Sequence, residues 1–413
     1  MRKSGGVVIL MKKNKNNIEY LFNERFDENE FNKIPSLEPF SEDAINFLDT
    51  LSKKLLKNFK TKAYPDVATF AFFCRKGNII KLKEKYNDSS ELRLGVGTAF
   101  HIAPSNVPVN FAYSLICGVL SGNKNIVRVP SITYDQVKII VEAIADVSLI
   151  KDFQYFNQSI VIIRYDYKSN YTEYFSSISD VRIIWGGDET INNVRKSQIG
   201  TRAFDITFAD RYSICLINSN VYLNDKKYDQ IAEDFYNDTY LFDQNACTAP
   251  HLIIWLGSEK NIKKSKKIFW ETLHRLVINQ YEVQPVIAVD KLTSLYNQLI
   301  HMDGSKKEDS KDNLILKIRL KNLEKDIEKY RCSSGYFNEY HGKSIEELNT
   351  IINRKYQTLA YYGLDKKILN KFIKDCKPSG IDRIVPIGKT TEFSLTWDGY
   401  DLIKVLSRKI EIL

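Results

Sequence analysis

Between residues 41 and 60 the apolar positions Ile45, Phe47, Leu48, Leu51, Leu55, Leu56 and Phe59 recur at helical spacing, with Ser41 placed to cap the segment. Pro65 opens a second predicted helix, which carries Phe70, Phe72 and Phe73 toward Arg75 and Lys76. A third helical stretch covers about 78–87, and this N-terminal region reads as packing rather than chemistry. From Leu94 the texture changes. Short apolar runs at 96–102, 125–129, 159–163, 181–185 and 214–217 predict strands, separated by helical stretches at 107–120, 134–147 and from 188 to about 196. Alternation of this kind predicts a parallel, doubly wound α/β sheet, which binds ligands at the carboxyl ends of its strands. A second α/β region begins near Ser219, with a strand at 251–256 and a long helix over about 260–278. The polar run 305–311 predicts a solvated loop, followed by a charged amphipathic helix.

The chain has 413 residues, of which 43% are hydrophobic, enough for two or more packed domains. Lys and Arg (60) exceed Asp and Glu (51), giving a net charge of +9. The basic residues are scattered rather than striped and no nucleic-acid motif accompanies them, so the excess suits phosphorylated cofactors better than DNA or RNA. Six cysteines, at 74, 117, 215, 247, 332 and 376, form no C-x-x-C pair. That pattern fits free thiols in a reducing, cytoplasmic setting. The apolar stretch 5–11 is short, lacks a cleavage site and runs into Lys12 and Lys13, so it reads as a strand rather than a leader. No apolar run approaches membrane-spanning length. His101, His251, His274, His301 and His341 show no metal spacing, and no metal is expected. A satisfied core or surface histidine is the better reading of each, with a Cys–His dyad left open.

Cys247 is the residue on which candidate chemistry centres. In Phe242-Asp243-Gln244-Asn245-Ala246-Cys247-Thr248-Ala249-Pro250 it lies between a polar loop and a hydrophobic strand. A nucleophilic thiol needs a donor for the oxyanion it creates, and Asn106, at a strand-to-helix turn, supplies a suitable amide. Together the two segments argue for acyl transfer through a thioester. There is no G-x-G-x-x-G fingerprint. Gly186 and Gly187 follow the strand at 181–185, where they either open the backbone to a cofactor or simply make a tight turn. Arg128, near a strand end and close to Ser131, suits a ribose phosphate, or equally an ion pair at the surface.

Several segments resemble the LuxC-type acyl-CoA reductases, a branch of the aldehyde dehydrogenase superfamily. They are Phe70-Ala71-Phe72-Phe73-Cys74-Arg75-Lys76, 97–106, 122–131, Ile184-Trp185-Gly186-Gly187-Asp188 and 243–250. The tail joins them through Ile381-Asp382-Arg383-Ile384-Val385-Pro386-Ile387-Gly388 and Trp397-Asp398-Gly399-Tyr400. The resemblance is collinear from about residue 41 to the C-terminus. It implies an aldehyde-dehydrogenase-like fold: an N-terminal helical region (1–93), a doubly wound cofactor-binding domain (94–218), an α/β catalytic domain (219–390) and a segment (391–413) returning to the cofactor domain. It also implies NADPH-dependent reduction of an acyl thioester to an aldehyde, with NADH as the other possible cofactor. Cys247 matches the family nucleophile, Asn106 the oxyanion amide, Arg128 with Ser131 the cofactor-ribose position, and Gly186 with Gly187 the turn beneath the nicotinamide. The implied partners are acyl-CoA or an acylated carrier, an acyl-protein synthetase, and further copies of the chain.

One departure bears on direction. Hydrolytic aldehyde dehydrogenases carry a water-activating Glu ahead of the cysteine, where this chain reads Arg211-Tyr212-Ser213-Ile214-Cys215-Leu216. The missing base fits reduction better than oxidation to an acid, the rival reading. A catalytically silent subunit of an acyl-activating complex is a further alternative. Glu189 and Glu392 are the distant carboxylates that could restore a base.

Overall fold

In the first part of the chain the strands are β1 (Ile18–Phe22), β2 (Leu92–Gly95), β3 (Thr98–Ile102), β4 (Lys124–Arg128), β5 (Ile160–Tyr165), β6 (Val181–Trp185) and β7 (Phe204–Phe208). These come from a computed structural model that describes residues 18–86, 91–166 and 169–412, so the strand expected at 5–11 lies outside the described residues. Six of the strands make one sheet in the order β1-β5-β4-β3-β6-β7. All neighbours are parallel except β1, which runs antiparallel along β5 at the edge. The run Ile160-Val161-Ile162-Ile163 in β5 is wholly buried, as expected for a parallel sheet covered on both faces.

From β3 the chain winds outward through β4 and β5, then crosses back to place β6 and β7 on the other side of β3. The winding therefore reverses between β3 and β6. At such a reversal the loops after the two strands diverge and leave a crevice at the carboxyl edge.

The N-terminal helices form largely where the pattern placed them. Helix Glu42–Lys57 is capped by Ser41, whose Oγ accepts the Ala44 N–H at 3.3 Å, and it buries Ile45, Phe47, Leu48, Leu51 and Leu55. Phe59 lies beyond its end and is exposed. Helices Pro65–Phe73 and Lys76–Lys83 follow. The expectation of a separate helical region over 1–93 needs correction, because β1 extends the first sheet. Leu37 also joins that body: its N–H donates to Gly122 O at 2.9 Å and its carbonyl accepts from Gly95 N at 3.0 Å. Gly122 has φ +81°, and a Cβ there would stand 2.0 Å from the Leu37 oxygen, so only glycine fits.

The chain divides into two compact units. The first holds the described residues up to Ala209 together with those from Tyr400 on, and the second is Asp210–Gly399. Within the first unit the C-terminal strand Ser407–Ile410 pairs antiparallel with β2.

The second unit contains β8 (Tyr212–Asn218), β9 (Pro250–Leu256), β10 (Lys306–Lys307), β11 (Leu316–Arg319), β12 (Tyr336–Gly342), β13 (Tyr356–Tyr362) and β14 (Arg383–Pro386). Their order is β10-β11-β12-β9-β8-β13-β14, parallel except for β10. Alternate residues of β8 and β9 feed two apolar layers. Ile214, Leu216, Leu252 and Ile254 face one side. Cys215, Ile217, Ile253 and Trp255 face the other, against Phe269, Trp270 and Leu273 of helix Glu259–Gln280.

Two sequence expectations fail here. The strand at 214–217 belongs to this sheet rather than to the first α/β region. The helix expected after residue 311 is instead β11, because Leu316, Ile318 and Leu320 are buried with period two between Lys317 and Arg319.

Candidate active site

Cys247 lies in the loop between the turn Tyr240–Phe242 and β9, at the amino end of that strand. Of the six cysteines, Cys74, Cys117 and Cys215 are buried, Cys332 and Cys376 are half-buried, and Cys247 alone is exposed. Its loop is nonetheless tightly held. Asp243 and Gln244 both take left-handed backbone, with φ of +51° and +59°. Such conformations persist only where surrounding bonds impose them. Gln244 supplies those bonds. Its buried amide donates to Pro250 O at 2.9 Å and Tyr336 O at 3.1 Å, and its carbonyl oxygen accepts from Gly335 N at 2.9 Å and Tyr336 N at 3.1 Å. Ser213 Oγ donates to the Cys247 carbonyl at 2.6 Å and accepts from Thr358 N at 3.2 Å. Tyr281 adds a bond to Asp243 at 2.6 Å. The thiol is thus displayed by a loop clipped to the first residues of β8, β9, β12 and β13.

The protein atoms around the loop disfavour the thiolate, and the Asp398 and Asp210 carboxylates push the Cys247 pKa up further. A bond from the Arg211 N–H and the Arg331 guanidinium oppose the rise. Asp210 is paired with Arg331 at 2.6 Å, and Arg331 also donates to Arg211 O at 2.8 Å. Arg211 in turn pairs with Asp382. Among the described residues no histidine is hydrogen-bonded to the thiol. His251, four residues on, is buried, stacks on Tyr212 at 5.6 Å, and leaves its Nδ1 without a partner among the described residues. Burial, with Arg331 adding to it, holds its pKa down to about 3, so the ring is neutral. Glu392, one of the two distant carboxylates considered from the sequence, is exposed and paired with Lys389.

The carboxylate that bears most on the thiol, ahead of Asp210, is Asp398, which sequence reasoning did not single out. Its signal was present in Trp397-Asp398-Gly399-Tyr400, an acidic residue next to glycine. Asp398 takes φ +48° and Gly399 φ +77°, and Gln357 Nε2 donates to Asp398 Oδ1. Burial lifts the Asp398 pKa to about 6, against the opposing pull of Arg211.

In the first unit the remaining candidates gather at the carboxyl edge of three adjacent strands. Asn106 stands exposed in the loop after β3, ahead of helix Asn110–Leu120, and no hydrogen bond holds its side chain among the described residues. Tyr134 OH steadies the loop by donating to Ser105 O at 2.7 Å. Arg128 ends β4. It donates to Tyr165 O at 3.3 Å and Ser131 Oγ at 3.5 Å and lies over the Tyr165 ring, while its buried Nε has no partner among the described residues. Gly186 and Gly187 follow β6. A Cβ on Gly186 would crowd Thr190 at 2.9 Å, whereas one on Gly187 would meet nothing within 4 Å. A guanidinium at a strand end, a bare backbone corner and the reversal of strand order fit a phosphorylated dinucleotide. Beneath them His101 is fully bonded, to Ser114 at 2.8 Å and Asn125 at 3.0 Å, and burial holds its pKa down to about 4. It ties β3 to β4 and is not a free acid–base group.

Compared with known proteins, residues 15–409 match the family model described as acyl-CoA reductase (LuxC). No curated protein matches the sequence. Among solved structures, aldehyde dehydrogenase 21 from Physcomitrella patens, in complex with its product succinate, aligns with a TM-score of 0.63 at 11% identity, covering 89% of this chain and 85% of that one. Lactaldehyde dehydrogenase from Escherichia coli aligns at 0.63 with 9% identity, over 93% and 87% of the two chains. A 1-pyrroline-5-carboxylate dehydrogenase from Thermus thermophilus aligns at 0.62 with 13% identity, over 92% and 83%. The fold is that of the aldehyde dehydrogenases.

Proposed function

The chain belongs to the LuxC family of acyl-CoA reductases, and on that premise we propose that it reduces an acyl thioester to an aldehyde through an acyl group carried on Cys247. The observation that carries this reading is Cys247 itself, the exposed residue among the cysteines, held in a loop of two left-handed residues that Gln244 and Ser213 clip down, while the other cysteines are buried or half-buried. Covalent catalysis splits one difficult displacement into two easier ones, and it needs a nucleophile fixed in place.

Cys247 Sγ attacks the thioester carbonyl, the donor thiol leaves, and the acyl group rests on sulfur. The role of Asn106 as the oxyanion donor rests on the family resemblance and is supported by its unengaged amide. A nicotinamide cofactor, when bound, supplies the hydride that takes the acyl group to the aldehyde level. Arg128, with Ser131, would hold the ribose phosphate, and the Gly186–Gly187 corner would admit the nicotinamide end. The family resemblance, with a guanidinium at this strand end able to pair a 2′-phosphate, favours NADPH. The donor is acyl-CoA or an acylated protein, the latter calling for a synthetase as partner. No carboxylate lies in the stretch 211–217, which supports reduction over hydrolysis to an acid.

Intact mass after incubation with a panel of acyl-CoAs, first without cofactor and then with NADPH, tests the reading. An acyl adduct on Cys247 that disappears as aldehyde upon adding NADPH is the expected result. Loss of the adduct as free acid, with no aldehyde, would move the protein to the oxidising branch. No adduct from any donor would favour a silent subunit.

A further inference from the structure

The first unit buries a row of polar side chains that leads from the Gly186–Gly187 corner into the sheet. Trp185 ends β6 and is followed at once by the corner. Its indole Nε1–H donates to Ser114 Oγ, in helix Asn110–Leu120, at 3.0 Å. Ser114 Oγ lies 2.8 Å from His101 Nδ1, and His101 Nε2 lies 3.0 Å from Asn125 Oδ1. Asn125 Nδ2 donates in turn to Asn123 O at 2.7 Å. All of these side chains are buried. The Trp185 ring also stacks on Phe208 at 3.7 Å, and Gly186 N donates to Phe208 O at 3.2 Å. Gly118 makes room for the row. Glycine weakens a helix interior, yet a Cβ at 118 would overlap Asn125 Oδ1 and stand 3.0 Å from His101 Nε2.

One arrangement of protons satisfies the row. Asn125 turns its amide nitrogen to the Asn123 carbonyl, so its oxygen faces His101 and accepts from Nε2–H. Burial holds the His101 pKa down to about 4, so the ring carries a single proton and Nδ1 is an acceptor. The Ser114 hydroxyl therefore donates to His101 Nδ1, while its oxygen accepts from the indole. Every bond points the same way, from Trp185 to Asn125 and on to Asn123 O. We propose that Ser114 and His101 are positioning residues for the cofactor corner. Through the Nε2–H tautomer of His101 they hold the Trp185 indole, and with it the backbone of Gly186 and Gly187, ready for the nicotinamide cofactor. The role rests on reading that corner as the cofactor's. Clamped by Phe208 on its face and by Ser114 at its edge, the indole leaves the adjoining backbone little freedom, and freedom lost in advance is not lost again on binding.

The experiment measures two properties of the full chain, NADPH affinity by titration and acylation by acyl-CoA without cofactor. Ser114→Ala removes the acceptor of the indole and the donor to His101 while taking away a single oxygen. NADPH should bind about tenfold more weakly, with acylation at the native rate. In Trp185→Phe, which has no indole N–H, the same substitution should add less than about twofold, because both changes break one bond. Losses that multiply independently, or acylation that falls along with cofactor affinity, would mark a general loosening of the unit and overturn the proposal. Unchanged NADPH affinity in Ser114→Ala overturns it as well. Should the variants fold poorly, neutron diffraction from the native protein decides. Hydrogen on His101 Nε2 and a Ser114 hydroxyl aimed at Nδ1 are expected, and a ring protonated at Nδ1 instead is fatal. If the native protein takes up no nicotinamide cofactor, the reading of the corner fails first and the proposal with it. If NADPH binds the native protein and Ser114→Ala equally, the proposal alone fails.

Discussion

The two sheets use opposite ends of their strands. In the first unit Asn106, Arg128 and the Gly186–Gly187 corner stand at the carboxyl ends of β3, β4 and β6. In the second, Cys247 and the groups that hold it gather at the amino ends of β8, β9, β12 and β13. Carboxyl ends lead into loops and helix N-termini, whose free N–H groups suit a phosphorylated ligand. Amino ends offer the first N–H groups of each strand, and here Gly335, Tyr336 and Thr358 spend theirs on the side chains of Gln244 and Ser213. One edge keeps an exposed side-chain amide unused among the described residues, that of Asn106. The other consumes its donors to immobilise a loop. On the proposed reading, a site that binds and releases a cofactor differs in this way from one that must aim a nucleophile.

The contrast breaks most visibly at the thiol. Cys247→Ala should abolish acyl-enzyme formation and turnover while nicotinamide affinity stays unchanged, as mass spectrometry and cofactor titration will show. Normal acylation of that variant would transfer the role to another cysteine. Asn106→Ala should lower turnover by about two to three orders of magnitude with little change in cofactor affinity. Weakened cofactor binding at near-normal turnover would make Asn106 a turn residue instead.

Gln244→Ala tests the immobilised edge. It strips partners from two N–H groups and two carbonyls at once, so a loss of about 3 kcal/mol in urea unfolding is expected, together with slower acylation. Unchanged stability would mean that the strained loop holds itself. At the other edge, Arg128→Ala should weaken NADPH about tenfold more than NADH, since only the former carries a 2′-phosphate. Equal losses would assign Arg128 to the ribose or to Tyr165.

The smallest effect concerns pH. The Asp398 carboxyl is held near 6 in the folded protein against an ordinary value of 3.8, so folding binds its proton more tightly. Its contribution to stability is complete below about pH 3.8 and is lost as pH rises through about 6. Asp398→Asn has no such loss, so its melting temperature relative to the native protein should rise between about pH 4 and about pH 7. A difference that stays constant with pH would place the carboxyl in water.

Local pattern carried the reading where one element decides the outcome. The Ser41 cap, Pro65 at a helix start, and in the first unit the strands β3 to β6 with the helices after β3, β4 and β6 follow from spacing and from the chemistry of helix ends. Cys247 and Asn106 were legible because each sits at a junction between elements, where a side chain escapes the core. Other features required the assembled sheet. The strand at 214–217 looks the same whichever sheet it joins, and only pairing with β9 and β13 assigns it to the second. Charge obscured the period-two burial of β11, since Lys317 and Arg319 suit a helix surface as well as a strand's outer face. Asp398 lies 151 residues beyond Cys247, and nothing in either segment announces the other. What the sequence determined is therefore the place of many elements and of two candidate residues at their junctions, because those depend on neighbours within a few positions. Which strand ends face which side chains, and which carboxylate shares the thiol's surroundings, depended on tertiary structure, because hydrogen bonding and desolvation act through space between segments that the chain separates.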